Sequence, residues 1–299
     1  MNKFTFVLLV VVYFLSLIYQ SFGHLTVDNQ LVFCIALVSL FGIPHGSIDH
    51  VLYVSKMKSS KLFFYSFYFG LIFLYVLLWL YFPVISFIFF LLLSAYHFGE
   101  SQFHFVSFDI SFLKNIFYFV YGIFVISTLI YFNIPELKSL SQFNQDTIIL
   151  DKIFDENIIS YAYYVSLFVI IIFKLSLLYF KKFSISGLFN EIFTLFLINI
   201  ISFIFPFVIS FTLYFVLLHS IPVMFQEFKF LKEDNSNFNY RNFILLLLPY
   251  TLVSLFFTFI IFYCSYIQLI DISIPYLSMI IISVITLPHA VVMNLFYNK

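Results

Sequence analysis

Arginine occurs once in the 299-residue sequence, at Arg241, and charged residues of every kind make up only 9% of it. Soluble domains carry about 25% charge, so a soluble globule with a polar skin is excluded. The formal net charge is zero and there is no basic tract, so nothing points to nucleic acid as a partner. The two cysteines, Cys34 and Cys264, lie inside apolar runs and are expected to be inert core residues, neither a disulfide nor a metal pair. Alternation of apolar and polar residues, which membrane strands require, does not organise the runs.

The chain is instead 63% hydrophobic, with a mean hydropathy of +1.08. Apolar runs of about 20 residues recur along its whole length, the signature of membrane-spanning helices. The expected fold is all-α, a polytopic transmembrane bundle forming a single integral-membrane domain over residues 1–299. The N-terminal run carries Lys3 and is followed by no clear small-residue cleavage site, so it is expected to be a retained first helix. Phenylalanine is conspicuous at 48 copies. Two readings stand: a compositional bias that coats lipid-facing surfaces, or an aromatic channel for a flat hydrophobic substrate. Counts do not choose residues for the second, and no substrate-binding side chain is identified from them.

Hydrophobic runs, prolines and polar breaks predict about ten helices, near 4–22, 31–50, 62–82, 84–104, 113–133, 157–180, 187–205, 207–226, 242–265 and 275–297. Pro83 and Pro206 mark tight turns between neighbours, and 134–156 and 227–241 are the long polar connections. With the N-terminus in the cytoplasm, Lys3, Lys56, Lys58, Lys61, Lys114, Lys181, Lys182, Lys229, Lys232, Arg241 and Lys299 all fall on the inner side. Lys138 and Lys152 fall outside, in the segment that also holds Asp146, Asp151, Asp155 and Glu156. This asymmetry predicts a multi-pass protein of the cell (inner) membrane with a cytoplasmic N-terminus. Lys174, in the inner half of its helix, is expected to snorkel to the cytoplasmic side.

Seven histidines are present. His24 sits in a short outer loop, and the other six lie inside predicted helices or at their ends, where an ionisable group is costly and tends to mark function. His45, His97, His219 and His289 lie roughly 12–14 residues after the starts of the second, fourth, eighth and tenth helices. Even-numbered helices run in one direction, so at about 1.5 Å per residue all four imidazoles reach one depth. Four histidines from four helices at one level form what a metal site in a helical bundle requires.

Prolines flank this layer in "GIPH" (Gly42 to His45), in "TLPH" (Thr286 to His289), and at Pro222, three residues after His219. Each predicts a kink with a freed carbonyl, tolerated at membrane depth where it is buried in protein or lines a cavity. In "SAYHFGE" (Ser94 to Glu100), Gly99 permits close approach of another backbone. The bundle is therefore expected to carry kinked even-numbered helices around a histidine layer. Asp49 follows His45 by four residues and Glu100 follows His97 by three, spacings that put each acid on its histidine's helix face. Asp49, His50 and Glu100 are candidates for orienting the ligands from behind, or for a proton relay. For His50 and His104, near helix ends, simple packing is the expected role, as it is for Met293 and Tyr297 beyond His289.

Together "GIPHGSIDH", "SAYHFGE", "LLHS" and "TLPHAVVMNLFY" resemble the Brp/Blh family of integral-membrane β-carotene 15,15′-dioxygenases, in that family's order and over nearly the whole chain. The resemblance implies cleavage of the central double bond of β-carotene by O₂ to give two molecules of all-trans-retinal. It also implies ferrous iron, Fe(2+), as cofactor, a lipid bilayer as setting, and a functional link to a microbial rhodopsin. By the resemblance His45, His97 and His219 would be catalytic ligands; the common depth of His289 makes it the candidate for a fourth metal ligand, unless three suffice. The family's third motif continues as histidine-serine-x-arginine-histidine, whereas here Pro222 and Val223 occupy the last two places. Two other classes remain open from the residues: a non-cleaving carotenoid- or retinal-binding protein, and a transporter of metal ions or protons.

Overall fold

The computed structural model describes residues 3–22, 26–143, 145–148, 153–182 and 184–298; His24, Asp151, Lys152 and Lys299 lie outside them. Among the described residues the structure is helical. The elements are α1 (Lys3–Phe22), α2 (Val27–Leu37), a π-helical segment (Val38–Gly42), α3 (Ile43–His45), α4 (Asp49–Met57), α5 (Lys61–Tyr81), α6 (Pro83–Phe103) and α7 (Ser111–Tyr131). There follow α8 (Ile134–Phe143), α9 (Glu156–Tyr179), α10 (Ile185–Ile204), α11 (Phe207–Leu213), a second π-helical segment (Tyr214–Ser220), α12 (Ile221–Asp234), α13 (Tyr240–Tyr266) and α14 (Ile274–Asn298).

Nine helical stretches among the described residues are long and apolar enough to cross a membrane, and α1 adds a shorter apolar one. The chain is thus a multi-pass membrane protein, and its ten hydrophobic helices fall where the runs and prolines put them. Two boundaries differ by more than four residues. The second stretch continues to Met57, and the eighth continues through α12 to Asp234, absorbing part of the expected 227–241 connection. Lys56 and Lys232 stand in the last turns of these extensions, where positive charge complements the helix dipole.

The lysine ends of the helices meet as the helix count requires. Lys3 lies 3.5 Å from the Phe225 ring centroid, Lys56 lies 5.2 Å from those of Phe230 and Phe296, and Lys114 Nζ donates to Asn298 Oδ1 at 2.6 Å. Lys174 behaves differently from the expectation. It does not snorkel; it is 3% exposed and pairs with Glu191 at 3.6 Å, with the Phe103 and Tyr121 rings 5.5 and 5.7 Å away. Glu191 also accepts from Gln102 Nε2 at 3.3 Å, so α6, α7, α9 and α10 share one buried charge pair. Removing one partner leaves the other uncompensated, at a cost of roughly 3–5 kcal/mol. Lys174→Met is expected to lower the unfolding midpoint in detergent strongly, and adding Glu191→Leu to restore most of it.

The helices with the largest buried share are those around the centre: α7 has 56% of its membrane window buried, against 11% for α13. The peripheral helices carry many exposed phenylalanines, among them Phe63, Phe69, Phe73, Phe256 and Phe259, as the lipid-coating reading expects. The tightest contact joins α6 to α7. A Cβ added to Gly99 would lie 1.8 Å from the Tyr118 carbonyl oxygen, and one added to Gly122 would lie 1.7 Å from the Ala95 carbonyl oxygen. Two glycines, one per helix, thus let the backbones touch, the small-residue packing by which membrane helices associate. Polar links tie the rest: Trp79 Nε1 donates to Ser283 Oγ at 2.7 Å, Tyr163 Oη to Asn199 Oδ1 at 2.7 Å, and Asn133 Nδ2 to the Ser202 carbonyl at 3.2 Å.

Candidate metal centre

The elements that carry the histidines are irregular where the histidines sit. The π segment Val38–Gly42 leads into Pro44 and His45, and the π segment Tyr214–Ser220 contains His219 and leads into Pro222. A π turn widens the helix, and such turns gather at functional sites. Placing it just before a proline puts the ring where the regular hydrogen-bond ladder is already interrupted. The expected kinks therefore take the form of π segments in two of the helices. In α14 the helix runs on through Pro288, and α6 holds His97 without interruption, its place set by the contact with α7.

The four imidazoles form a closed ring of neighbours. Centroid distances are 4.6 Å from His45 to His289, 5.1 Å from His289 to His97, 4.8 Å from His97 to His219 and 5.3 Å from His219 to His45. Each pair is close to perpendicular, at 80°, 86°, 79° and 82°. All four are buried, with exposures of 7% or less. The one-depth expectation drawn from helix starts matches this arrangement. Ligand nitrogens of His45, His97 and His289 all lie within 4.8 Å of one another, so these three form a buried group able to hold a metal ion. His219 closes the ring beside them.

The hydrogen bonds settle which nitrogen is free. His289 Nδ1 lies 2.9 and 3.1 Å from the two Asp49 carboxylate oxygens; a carboxylate accepts, so Nδ1 carries the proton. Ser101 Oγ donates to the Phe98 carbonyl at 3.0 Å, so at 3.0 Å from His219 Nδ1 it accepts that ring's proton. His45 Nδ1 donates to the Gly42 carbonyl, whose regular partner four residues on, the Gly46 N–H, bonds the Ile43 carbonyl instead. Three rings are thus held in one tautomer with Nε2 as the lone-pair nitrogen. Nε2 of His97, His219 and His289, and Nδ1 of His97, have no partner although buried. Buried polar atoms without partners cost about 1–3 kcal/mol each, and a bound cation would satisfy one on each of His97, His219 and His289. Neutral imidazoles suit iron, zinc, copper or nickel, so the donor set fits a transition metal.

Asp49 lies behind His289, not His45. The turn over Gly46, Ser47 and Ile48 ends the helix after His45, which removes the four-residue spacing that would have put Asp49 on the His45 face. Its Oδ2 also accepts from Tyr68 Oη at 3.0 Å, which holds the carboxylate in place. Gly46 makes room for the pair: a Cβ there would stand 3.3 Å from His289 Nδ1. Partners of this kind typically matter 10–100-fold in metal affinity. Asp49→Ala is expected to weaken metal binding by about that factor, and Asp49→Asn, which keeps an acceptor, by less; competition with a chelator of known affinity measures both.

Glu100 and His50 stand apart from the ring. Glu100 Oε1 accepts from Asn294 Nδ2 at 2.7 Å and Asn298 Nδ2 at 2.9 Å, tying α6 to α14. His50 packs 4.4 Å from Tyr250 and 6.2 Å from Tyr65, centroid to centroid. Among the described residues no hydrogen bond joins Asp49, His50 and Glu100, so the relay considered for them has no direct path. His104 stacks on Tyr297 at 4.3 Å, as the packing reading expects, and Tyr297 Oη donates to Gln226 Oε1 at 2.9 Å.

Sequence reasoning passed over Ser101, Tyr68 and Glu227. Ser101 was accessible, four residues after His97 on the same face of an unbroken helix. Tyr68 comes from a neighbouring helix and leaves no local signal. Glu227 is fully buried with both carboxylate oxygens unpartnered; it lies eight residues after His219, in a stretch expected to be a polar connection. Val223 is buried among Ile48, Leu52, Val292 and Met293, an apolar site that a valine fits.

A family model described as beta-carotene 15,15′-dioxygenase matches residues 36–297. The chain belongs to this family. No curated protein and no solved structure matches it. Membership of the β-carotene dioxygenase family agrees with the resemblance carried by the four histidine motifs. The matched region contains every histidine of the ring.

Proposed function

We propose that the chain is an iron-dependent oxygenase that cleaves the central 15,15′ double bond of β-carotene with O₂ and yields two molecules of all-trans-retinal. In the balance one carbon–carbon double bond breaks, two carbonyls form, and both oxygen atoms of O₂ end in product. The observation that carries the reading is the ring of four buried imidazoles, three of them with unpartnered nitrogens, in a chain of this family. Iron, when bound, supplies the electron transfer that lets O₂ react with an alkene.

The chain's own residues do the rest. His45, His97, His219 and His289 would hold the metal as neutral donors, which leave its charge unquenched. Asp49, Ser101 and the Gly42 carbonyl keep three of the rings in the binding tautomer. Phe98 and Phe215, with centroids 4.9 and 5.5 Å from that of His219, keep water from its vicinity. No acid or base is needed, because no proton moves in the net reaction. The substrate partitions into the bilayer, which fits a catalyst embedded there. The lysine distribution supports a cytoplasmic N-terminus in the cell membrane, and the retinal formed would serve a retinal-binding protein such as a microbial rhodopsin.

The test is expression in cells that accumulate β-carotene. Loss of colour with the appearance of retinal is expected. Unchanged colour with pigment bound to the purified protein would replace this reading with a non-cleaving binder. Metal- or proton-dependent flux in proteoliposomes, with no retinal, would replace it with a transporter.

A further inference from the structure

One face of α11 and the π segment after it carries a stack of aromatic rings that ends on the metal centre. Phe207 and Phe211 have centroids 6.2 Å apart with planes 17° from parallel, and Phe211 and Phe215 are 5.5 Å and 8°. Phe215 and His219 follow at 5.5 Å and 25°. Four rings spaced by four residues therefore stand near-parallel and offset from one another along about 18 Å of helix. Other residues of this helix, such as Ser210, Thr212, Leu213 and Val216, are buried, whereas Phe207, Phe211 and Phe215 are half-buried. They are neither sealed in the core nor spread on the lipid surface like Phe256 and Phe259.

Phe207 packs against both apolar clusters that fill this part of the bundle, so the stack starts at the seam between them. An open depression of about 310 Å³ reaches Pro206, next to the first ring, and is lined by the polar Gln30, Asn133 and Glu136 beside Tyr19 and Phe205. Glu136 Oε2 accepts the Phe207 backbone N–H at 2.8 Å, anchoring the first rung. At the other end Gly42 leaves room for the last phenylalanine: a Cβ there would lie 2.8 Å from the Phe215 ring.

We infer that this aromatic ladder is the wall on which one half of a linear polyene lies, with its central double bond held at His219. The inference rests on the oxygenase reading and supplies its missing substrate site. Parallel ring faces offer a conjugated chain continuous π contact and no polar atom, and neither is needed to hold a saturated acyl chain. The span from Phe207 to His219 is comparable with half of an extended C40 carotenoid. A wall of fixed length ending at the metal would select the central bond by geometry.

The test titrates β-carotene in mixed micelles into the iron-loaded, full-length protein without oxygen, following the carotenoid absorption band. Phe211→Ala and Phe211→Leu are both expected to weaken binding about tenfold, because leucine restores apolar volume without a ring face. With oxygen, both should raise KM for β-carotene with little change in kcat. Phe257→Ala, on the exposed surface of α13, should change neither. Phe211 variants that bind like the unaltered chain overturn the inference, as does an unaltered chain that binds no β-carotene. Binding without retinal formation overturns the oxygenase reading alone, and the affinities of the Phe211 variants still decide the ladder.

Discussion

His97→Ala is expected to yield a folded protein that retains no iron above background and forms no retinal. Among the four imidazoles His97 is the one with both ring nitrogens unpartnered, so no hydrogen bond is lost with it and the fold has little reason to change. Its removal takes away a donor that touches both His219 and His289 in the ring. Metal analysis of the purified variant, with its thermal unfolding as control, checks this. An iron content equal to that of the unaltered chain would contradict the assignment. The same measurement on His289→Ala separates a four-histidine site, which loses iron, from a three-histidine site of His45, His97 and His219, which keeps it.

Gly122→Val is expected to abolish the native bundle. The added carbons would meet the Ala95 backbone, 1.7 Å from where the first of them must sit, and a backbone cannot rotate away as a side chain can. Overpacking costs typically 1–3 kcal/mol and more where nothing yields, so a loss of at least about 3 kcal/mol is expected here. Because α6 carries His97, Glu100 and Ser101, the metal site should be lost with the contact. Gly70→Val is the control, since a Cβ at Gly70 meets nothing within 4 Å. Detergent-extracted yield and unfolding temperature of the two variants distinguish a specific close contact from a general intolerance of valine in these helices.

The parts of the site that follow regular helix geometry were legible in the sequence. Helix starts placed four histidines at one depth because rise per residue is constant, and α6 kept that geometry to its end. Gly99 was readable as a point of close approach, though its counterpart Gly122 sits in a helix with no chemical motif to draw attention to it. What was not legible depends on local departures from the α-helix or on distant partners. Asp49 changed partner because three residues of turn intervene after His45. The π segments shift the register around His219 without any composition of their own. Lys174 looked able to reach the membrane surface, yet Glu191, Gln102 and two aromatic rings from other helices make burial tolerable. Glu227 was hidden because its segment continues as helix where polarity indicated a loop.

The most direct test of an iron centre built from these histidines is retinal yield as a function of bound iron. Metal-free purified protein would be loaded stepwise with ferrous iron, and retinal formed from β-carotene counted at each step. The expected result is activity that rises in proportion to iron, saturates at one iron per chain, and gives two retinal molecules per β-carotene consumed. Retinal formed without iron, or products of unequal length at saturation, would contradict it.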